Sequence, residues 1–135
     1  MGSKSDNLEA LCLQWALNAG AVSPTRPVAQ YLALFLTDPT DTGAAGTEVS
    51  LFGYARQAIT FGAISGTTPT QTANTSAHTF TNTGGGNWGG IAFWAVFDAV
   101  TVGNCLYTGS ATVTRTINAS EVLTVAAGAI VVTED

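Results

Sequence analysis

The sequence predicts an all-β fold: an antiparallel β-sandwich, jelly-roll or Ig-like, of about eight strands with one N-terminal α-helix. Short apolar or alternating segments recur about every ten residues, and glycine, proline, asparagine and serine separate them. Charged residues make up 10% of the chain, against about 25% in an ordinary soluble domain. The length of 135 residues predicts a single domain over residues 1–135, with the helix at about 5–19 and the strands at about 30–133.

The helix is predicted from apolar side chains at spacings of three and four residues. Those side chains are Leu8, Leu11, Cys12, Trp15 and Ala19. Ser5 is a suitable N-cap and Gly20 a suitable C-terminal stop. Leu13 and Leu17 place further apolar surface on a second helix face. We therefore expect the helix to be covered on more than one side, by its own sheet or by a neighbouring subunit.

The strands follow the helix. Residues 30–37 are apolar on both faces, which is typical of a strand between two layers, and residues 91–98 form a near-continuous apolar strand expected at the centre. In residues 76–82 the side chains alternate, with His78, Phe80 and Asn82 on one face. Residues 67–75 are a loop or an edge strand. The other expected strands are residues 54–61, 104–109, 111–117, 121–126 and 129–133.

Charge and cysteine content restrict the function. The four basic residues are scattered (Lys4, Arg26, Arg56 and Arg115) and the net charge is −5, so we expect no nucleic-acid partner. No apolar run reaches the roughly 18 residues of a membrane span, so no membrane partner is expected. Cys12 and Cys105 each lie among apolar neighbours, which favours two buried thiols over a disulfide.

Groups able to carry catalysis are scarce. His78 is the sole histidine and no G-x-S-x-G occurs, so neither a triad nor a two-histidine metal site is expected. The run Gly84–Gly90 lacks the lysine of a phosphate-binding loop. We expect a non-enzymatic protein with no cofactor and no metal.

Four residues are candidates for a protein interface: Trp15, Arg56, Trp88 and Arg115. Trp88 lies within the glycine-rich run, where it is either a contact point for sugar or protein or a lid folded onto the core. Arg56 and Arg115 lie inside predicted strands, where each is either a solvent-facing charge or an interface anchor. Trp15 represents the apolar helix.

Seven segments in fixed order resemble a family of small tailed-bacteriophage virion structural proteins, variously called tail fibre proteins, minor tail proteins or capsid cement (decoration) proteins. The resemblance covers nearly the whole chain and implies a compact β-sandwich without a catalytic motif. The segments are residues 31–35 (YLALF), 38–41 (DPTD), 46–49 (GTEV), 53–57 (GYARQ), 92–99 (AFWAVFDA), 103–109 (GNCLYTG) and 126–130 (AAGAI).

Two functions follow from the low charge and this resemblance. The first is a capsid cement or decoration protein on the outer capsid surface, which would bridge subunits of the major capsid protein and self-associate as a homo-oligomer, expected to be a trimer. The alternative is a tail fibre or minor tail protein that binds a host surface glycan or receptor through Trp88, Trp94 or Tyr107.

Overall fold

The computed structural model describes residues 2–18, 20 and 24–134. It contains nine strands and one helix within these residues. Their bounds are β1 Gly2–Lys4, α1 Asp6–Leu17, β2 Gln30–Phe35, β3 Gln57–Ile59, β4 Thr70–Ala73, β5 His78–Thr81, β6 Gly90–Phe97, β7 Cys105–Thr116, β8 Val122–Val125 and β9 Val131–Glu134.

Seven strands form one curled sheet in the order β3-β2-β6-β7-β1-β9-β4, and β5 and β8 form a small second sheet. All pairings are antiparallel except the short contact of β1 with β9. Bridges Phe61↔Asn74 and Ser65↔Gln71 tie the chain after β3 to the edge strand β4. This architecture confirms the predicted all-β sandwich with an N-terminal helix.

The strands β2 and β6 are buried on both faces. Leu32 and Leu34 enter the main core, whereas Ala33 and Phe35 enter a second apolar cluster on the opposite face of the sheet. Because successive side chains of a strand point to opposite faces, a strand covered on both sides must be apolar throughout. Burial on both faces therefore explains why β2 is apolar throughout, as the sequence predicts.

The small sheet shows the predicted alternation. His78 and Phe80 of β5 and the following Asn82 are buried, while Thr79 and Thr81 are exposed. Residues 67–75, expected as a loop or an edge strand, contribute the edge strand β4. The strand expected at residues 54–61 is shorter, because only Gln57–Ile59 pairs with β2.

Two features of the sheet differ from expectation. Strand β1 was not predicted; it is stabilised by pairing with β7, which lies far away in sequence. Residues 104–109 and 111–117, expected as two strands, lie in one strand, β7. The expected break corresponds to a bulge in β7. Ser110 pairs with Phe93 and Arg115 pairs with Ile91, so the four residues 111–114 lie opposite the single residue Ala92.

Candidate interaction surface

The start of α1 is fixed firmly to the sheet. Ser5 is fully buried, its Oγ accepts a hydrogen bond from the Leu8 amide (3.3 Å) and donates one to the Cys105 carbonyl oxygen. The Ser5 amide donates to the Leu106 carbonyl (2.9 Å), and the Asp6 amide donates to Asp41 (3.0 Å). Ser5 is thus the predicted N-cap and also a link between the helix and β7.

A small polar cluster supports the strands below this helix. Lys4 forms an ion pair with Glu134, and the Tyr107 hydroxyl donates to the same carboxylate (2.9 Å). The hydrogen bond to Glu134 raises the pKa of Lys4, and burial, reinforced by Glu134, raises the pKa of Tyr107. Since Lys4 is in β1 and Glu134 in β9, this cluster joins three neighbouring strands.

The last two turns of α1 are only partly covered by the chain, because Leu11 is half-buried and the residues after it are exposed. Leu8 packs against the main core, but no residue of α1 is buried. Leu13, Trp15 and Leu17 are 60%, 72% and 76% exposed. The predicted apolar face therefore packs on the protein through Leu8 and half-buried Leu11 and is exposed beyond them; Ala19 lies outside the described residues.

The cysteines differ from each other. Cys105 is buried, as expected, whereas Cys12 is exposed, so the prediction of two buried thiols is wrong for Cys12. Cys12 lies one turn after Leu8 on the same helix face, beyond the turn that packs against the core, and remains exposed there. Both thiols are free, in agreement with the choice against a disulfide. Burial raises the pKa of Cys105 to about 11.

An apolar groove of about 400 Å³ lies between the bulged part of β7 and strand β8. Its volume is within the range of about 300–1,000 Å³ typical of binding pockets. Residues 110–113 and Arg115 line one side, residues 123–126 the other. The groove also contains buried apolar side chains: Leu34, Ile91, Trp94 and Ile130.

Arg115 is exposed at this groove, and Val113 beside it is 68% exposed. Sequence reasoning named Arg115 but missed the groove itself. The signal that could have found it is the predicted interruption at Ser110, where only one residue separates two strand patterns. A bulge at such a place bends the strand away from its partner and opens space beside it.

Arg56 has a different environment. Its Nε and Nη2 donate to the two carboxylate oxygens of Glu48 (both 2.8 Å), and Nη1 donates to the carbonyls of Ala99 (3.0 Å) and Val102 (2.8 Å). The guanidinium lies 3.7 Å from the centre of the Phe97 ring. With a side chain only 8% exposed, Arg56 joins two loops to the second apolar cluster of its own chain.

Tyr54 extends this cluster towards the main core. Its hydroxyl donates to Glu48 (2.9 Å) and accepts a hydrogen bond from the Leu34 amide (2.9 Å). Burial, followed by the charge of Glu48, raises the pKa of Tyr54. The phenol therefore stays protonated and holds the carboxylate that Arg56 needs.

The glycine-rich run Gly84–Gly90 is packed against the protein. A Cβ at Gly84 or Gly86 would lie 2.1 or 2.8 Å from side-chain atoms of Phe52, so a larger residue at either position would displace the Phe52 ring. Asn82 spans the bend, because its Oδ1 accepts from the Gly84 amide (3.0 Å) and its Nδ2 donates to the Gly86 carbonyl (2.8 Å). The run is thus a close-packed bend.

Trp88 is 4% exposed and lies in the main core. Its ring meets Tyr54 edge to face with 5.8 Å between ring centres, and its amide donates to the Ile117 carbonyl (3.0 Å). The structure places Trp88 in the second of its two expected roles, the core lid. Of the four candidate interface residues, Arg56 and Trp88 have partners inside the chain, and Trp15 and Arg115 are exposed. Their contact with a partner protein stays a prediction.

The described residues offer little to a catalytic or metal site. His78 is 8% exposed and packs in the small sheet. Across residues 2–18, 20 and 24–134, no group of three or more histidine, cysteine, aspartate or glutamate side chains is placed to hold a metal ion. None of the helical segments that the structure describes has the length and apolar character needed to cross a membrane.

Comparison with known proteins gives the family. No curated protein matches the chain. The family model described as podophage GP4 fiber I protein gp80 matches residues 3–133, which is nearly the whole chain and includes α1 and all nine strands in whole or in part. This match confirms the predicted resemblance to structural proteins of tailed-phage virions. The chain belongs to the Gp80 family of podophage GP4 fiber I proteins.

Proposed function

We propose that this protein is a non-enzymatic structural subunit of a podophage tail fibre, which attaches to other virion protein through α1. The observation that carries the proposal is the match of residues 3–133 to a fibre protein family. A fibre belongs to the tail alternative of the sequence analysis. The family match therefore favours the tail over the outer capsid surface that the cement hypothesis requires.

The fold suits a structural subunit. The strands β2 and β6 are covered on both faces, and bridges tie the region after β3 to the edge strand β4. Unpaired edges invite unwanted pairing, and tying them down avoids it. In contrast to the covered strands, α1 exposes Leu13, Trp15 and Leu17, and exposed apolar side chains of this kind are suited to contact with another protein.

A structural role is favoured over direct glycan binding. A glycan platform needs an exposed aromatic face. Trp88 and Trp94 are 4% and 6% exposed, and Tyr107 is engaged through its hydroxyl with Glu134. The three aromatic residues expected to stack on sugar are thus occupied within the fold.

The proposal keeps self-association, with a trimer as the expected form, because a small contact gains stability when it is repeated around a closed ring. The major capsid protein remains the expected partner only under the cement hypothesis. Position on the virion therefore separates the two functions.

The deciding experiment is the location and copy number of the chain in purified particles. Cryo-electron microscopy would give the position, and a quantitative gel would give the copy number with the major capsid protein as internal standard. We expect a few copies, all at the tail. Copies spread over the capsid shell would establish cementing instead, and absence of the chain from particles would overturn both functions.

A further inference from the structure

The partly covered last turns of α1 and the apolar groove beside the β7 bulge are two halves of one contact. We propose that the last two turns of α1 from one copy dock in the groove of a second copy. This inference deepens the proposed function, since it names the partner of α1, and it rests on that function only for its place in the virion. The contact is head-to-tail, because the helix and the groove are different surfaces of the same chain.

The position of the two surfaces favours a second copy. The helix starts beside Cys105, which pairs with Phe97 at one end of the β6–β7 ladder. The groove lies at the other end, where Ile91 pairs with Arg115. Among the residues that the structure describes, none of α1 lines the groove, and Leu13, Trp15 and Leu17 remain exposed.

The charges of the two surfaces are complementary. The helix carries Asp6 and Glu9 in its first turn and no basic residue in its last turn. The C-terminal end of a helix bears partial negative charge, which a nearby cation stabilises. Arg115 is the one charged side chain among the described residues that line the groove. A neighbour's Arg115 can therefore supply the cation that the last turn of α1 lacks.

The area predicts how the contact is used. Trp15 lies on the helix face opposite Leu13 and Leu17, so it enters the groove without them and offers about 200 Å² of apolar surface. One contact then buries about 400 Å² over both partners. A stable two-body interface needs about 1,200–2,000 Å². One contact is therefore weak, and a closed ring, in which every subunit gives one helix and receives another, is the stable form. Three subunits would satisfy the expected trimer.

Sedimentation of the purified full chain over a range of concentrations tests the contact. Trp15→Ala removes the largest helix side chain, and Val113→Glu places a charge in the groove. Both residues are exposed, so neither variant should unfold the domain. Gln14→Ala on the same helix and Val28→Glu, at a valine that is 98% exposed away from the groove, are the matched controls.

We expect the wild-type chain to form a closed oligomer, with self-association weakened about 30-fold or more by Trp15→Ala and by Val113→Glu. The two controls should associate like wild type. A chain that stays monomeric at its highest soluble concentration would overturn the proposal. Association of the Val113→Glu variant as strong as that of the wild type would also overturn it.

Disulfide trapping identifies the occupant. Cys12 is exposed on α1, so Thr112→Cys or Thr124→Cys in the groove should form intermolecular disulfides with it under mild oxidation and give species larger than a dimer. Thr101→Cys, an exposed position outside the groove, is the control and should give few disulfide-linked species on a non-reducing gel. Dimers linked through Cys12 alone in the wild-type chain would show helix-to-helix pairing and refute docking in the groove. These results come from purified protein, so they stand or fall separately from the location of the chain in particles.

Discussion

Replacement of Arg56 tests whether this charge stabilises the fold from within. The Arg56→Ala variant removes two hydrogen bonds to Glu48, two to the carbonyls of Ala99 and Val102, and the cation–π contact with Phe97. The arginine side chain is 8% exposed and the Glu48 side chain 25%. Loss of the arginine therefore leaves a carboxylate in a poorly hydrated site.

The expected cost follows from this geometry. Removal of one partner of a largely buried ion pair lowers the free energy of unfolding by about 3–5 kcal/mol, a large share of the about 5–15 kcal/mol that a domain has. Arg56→Lys keeps the charge but loses the fork that matches both oxygens of Glu48, so we expect a smaller loss of about 1–3 kcal/mol.

Urea unfolding, followed by circular dichroism, measures these losses. Arg26→Ala is the matched control, because Arg26 is exposed and its removal should change the unfolding free energy by less than about 0.5 kcal/mol. A double-mutant cycle with Glu48→Gln should give a coupling of at least about 1 kcal/mol. If Arg56→Ala costs less than about 1 kcal/mol, or no more than Arg26→Ala, the reasoning is refuted.

Four further predictions concern Ser5, Trp88 and the two cysteines. Ser5→Ala removes a helix cap and the partner of the Cys105 carbonyl, so it should lower the unfolding free energy by about 1–2 kcal/mol, while exposed Ser3→Ala should change little. Trp88→Ala truncates a core side chain and should lower the unfolding free energy by about 3–5 kcal/mol. A change near zero would show that Trp88 is not buried in the core. In the native chain a thiol reagent should modify Cys12 and spare Cys105 until denaturant is added. Because folding raises the pKa of Cys105 from 9.0 to about 11, its contribution to stability is complete below about pH 9 and is lost as the pH rises towards 11. Urea midpoints across this range should therefore fall less in Cys105→Ala than in wild type.

The features that could be predicted are those with a local cause. The N-cap at Ser5 needs only a hydroxyl next to the first helical turn. The burial of Leu32, Leu34, Ala33 and Phe35 follows from a strand with no polar face. Each of these patterns involves residues within one helix turn or one strand, so the structure that it predicts depends little on distant parts of the chain.

The roles of the candidate site residues depended on distant parts of the chain. From the sequence, Arg56 is a candidate interface residue. In the fold it instead contacts Glu48, Phe97 and the carbonyls after β6. The sequence leaves two roles open for Trp88, and the contacts with Tyr54 and Ile117 place it in the core. The burial of a side chain is decided by what the rest of the fold brings to it, which composition and spacing do not contain.

Sequence patterns were sufficient for four features: the all-β class, the helix with its cap, the burial of the central strands on both faces and the resemblance to phage structural proteins. Each depends on periodicity, capping or a long run of matched segments. Three features emerged only from the folded chain: β1 enters the sheet between β7 and β9, residues 111–114 bulge beside a groove, and Cys12 and Trp15 remain exposed. The physical reason is that pairing and coverage are contacts between residues far apart in the chain, and their free energy depends on all partners at once.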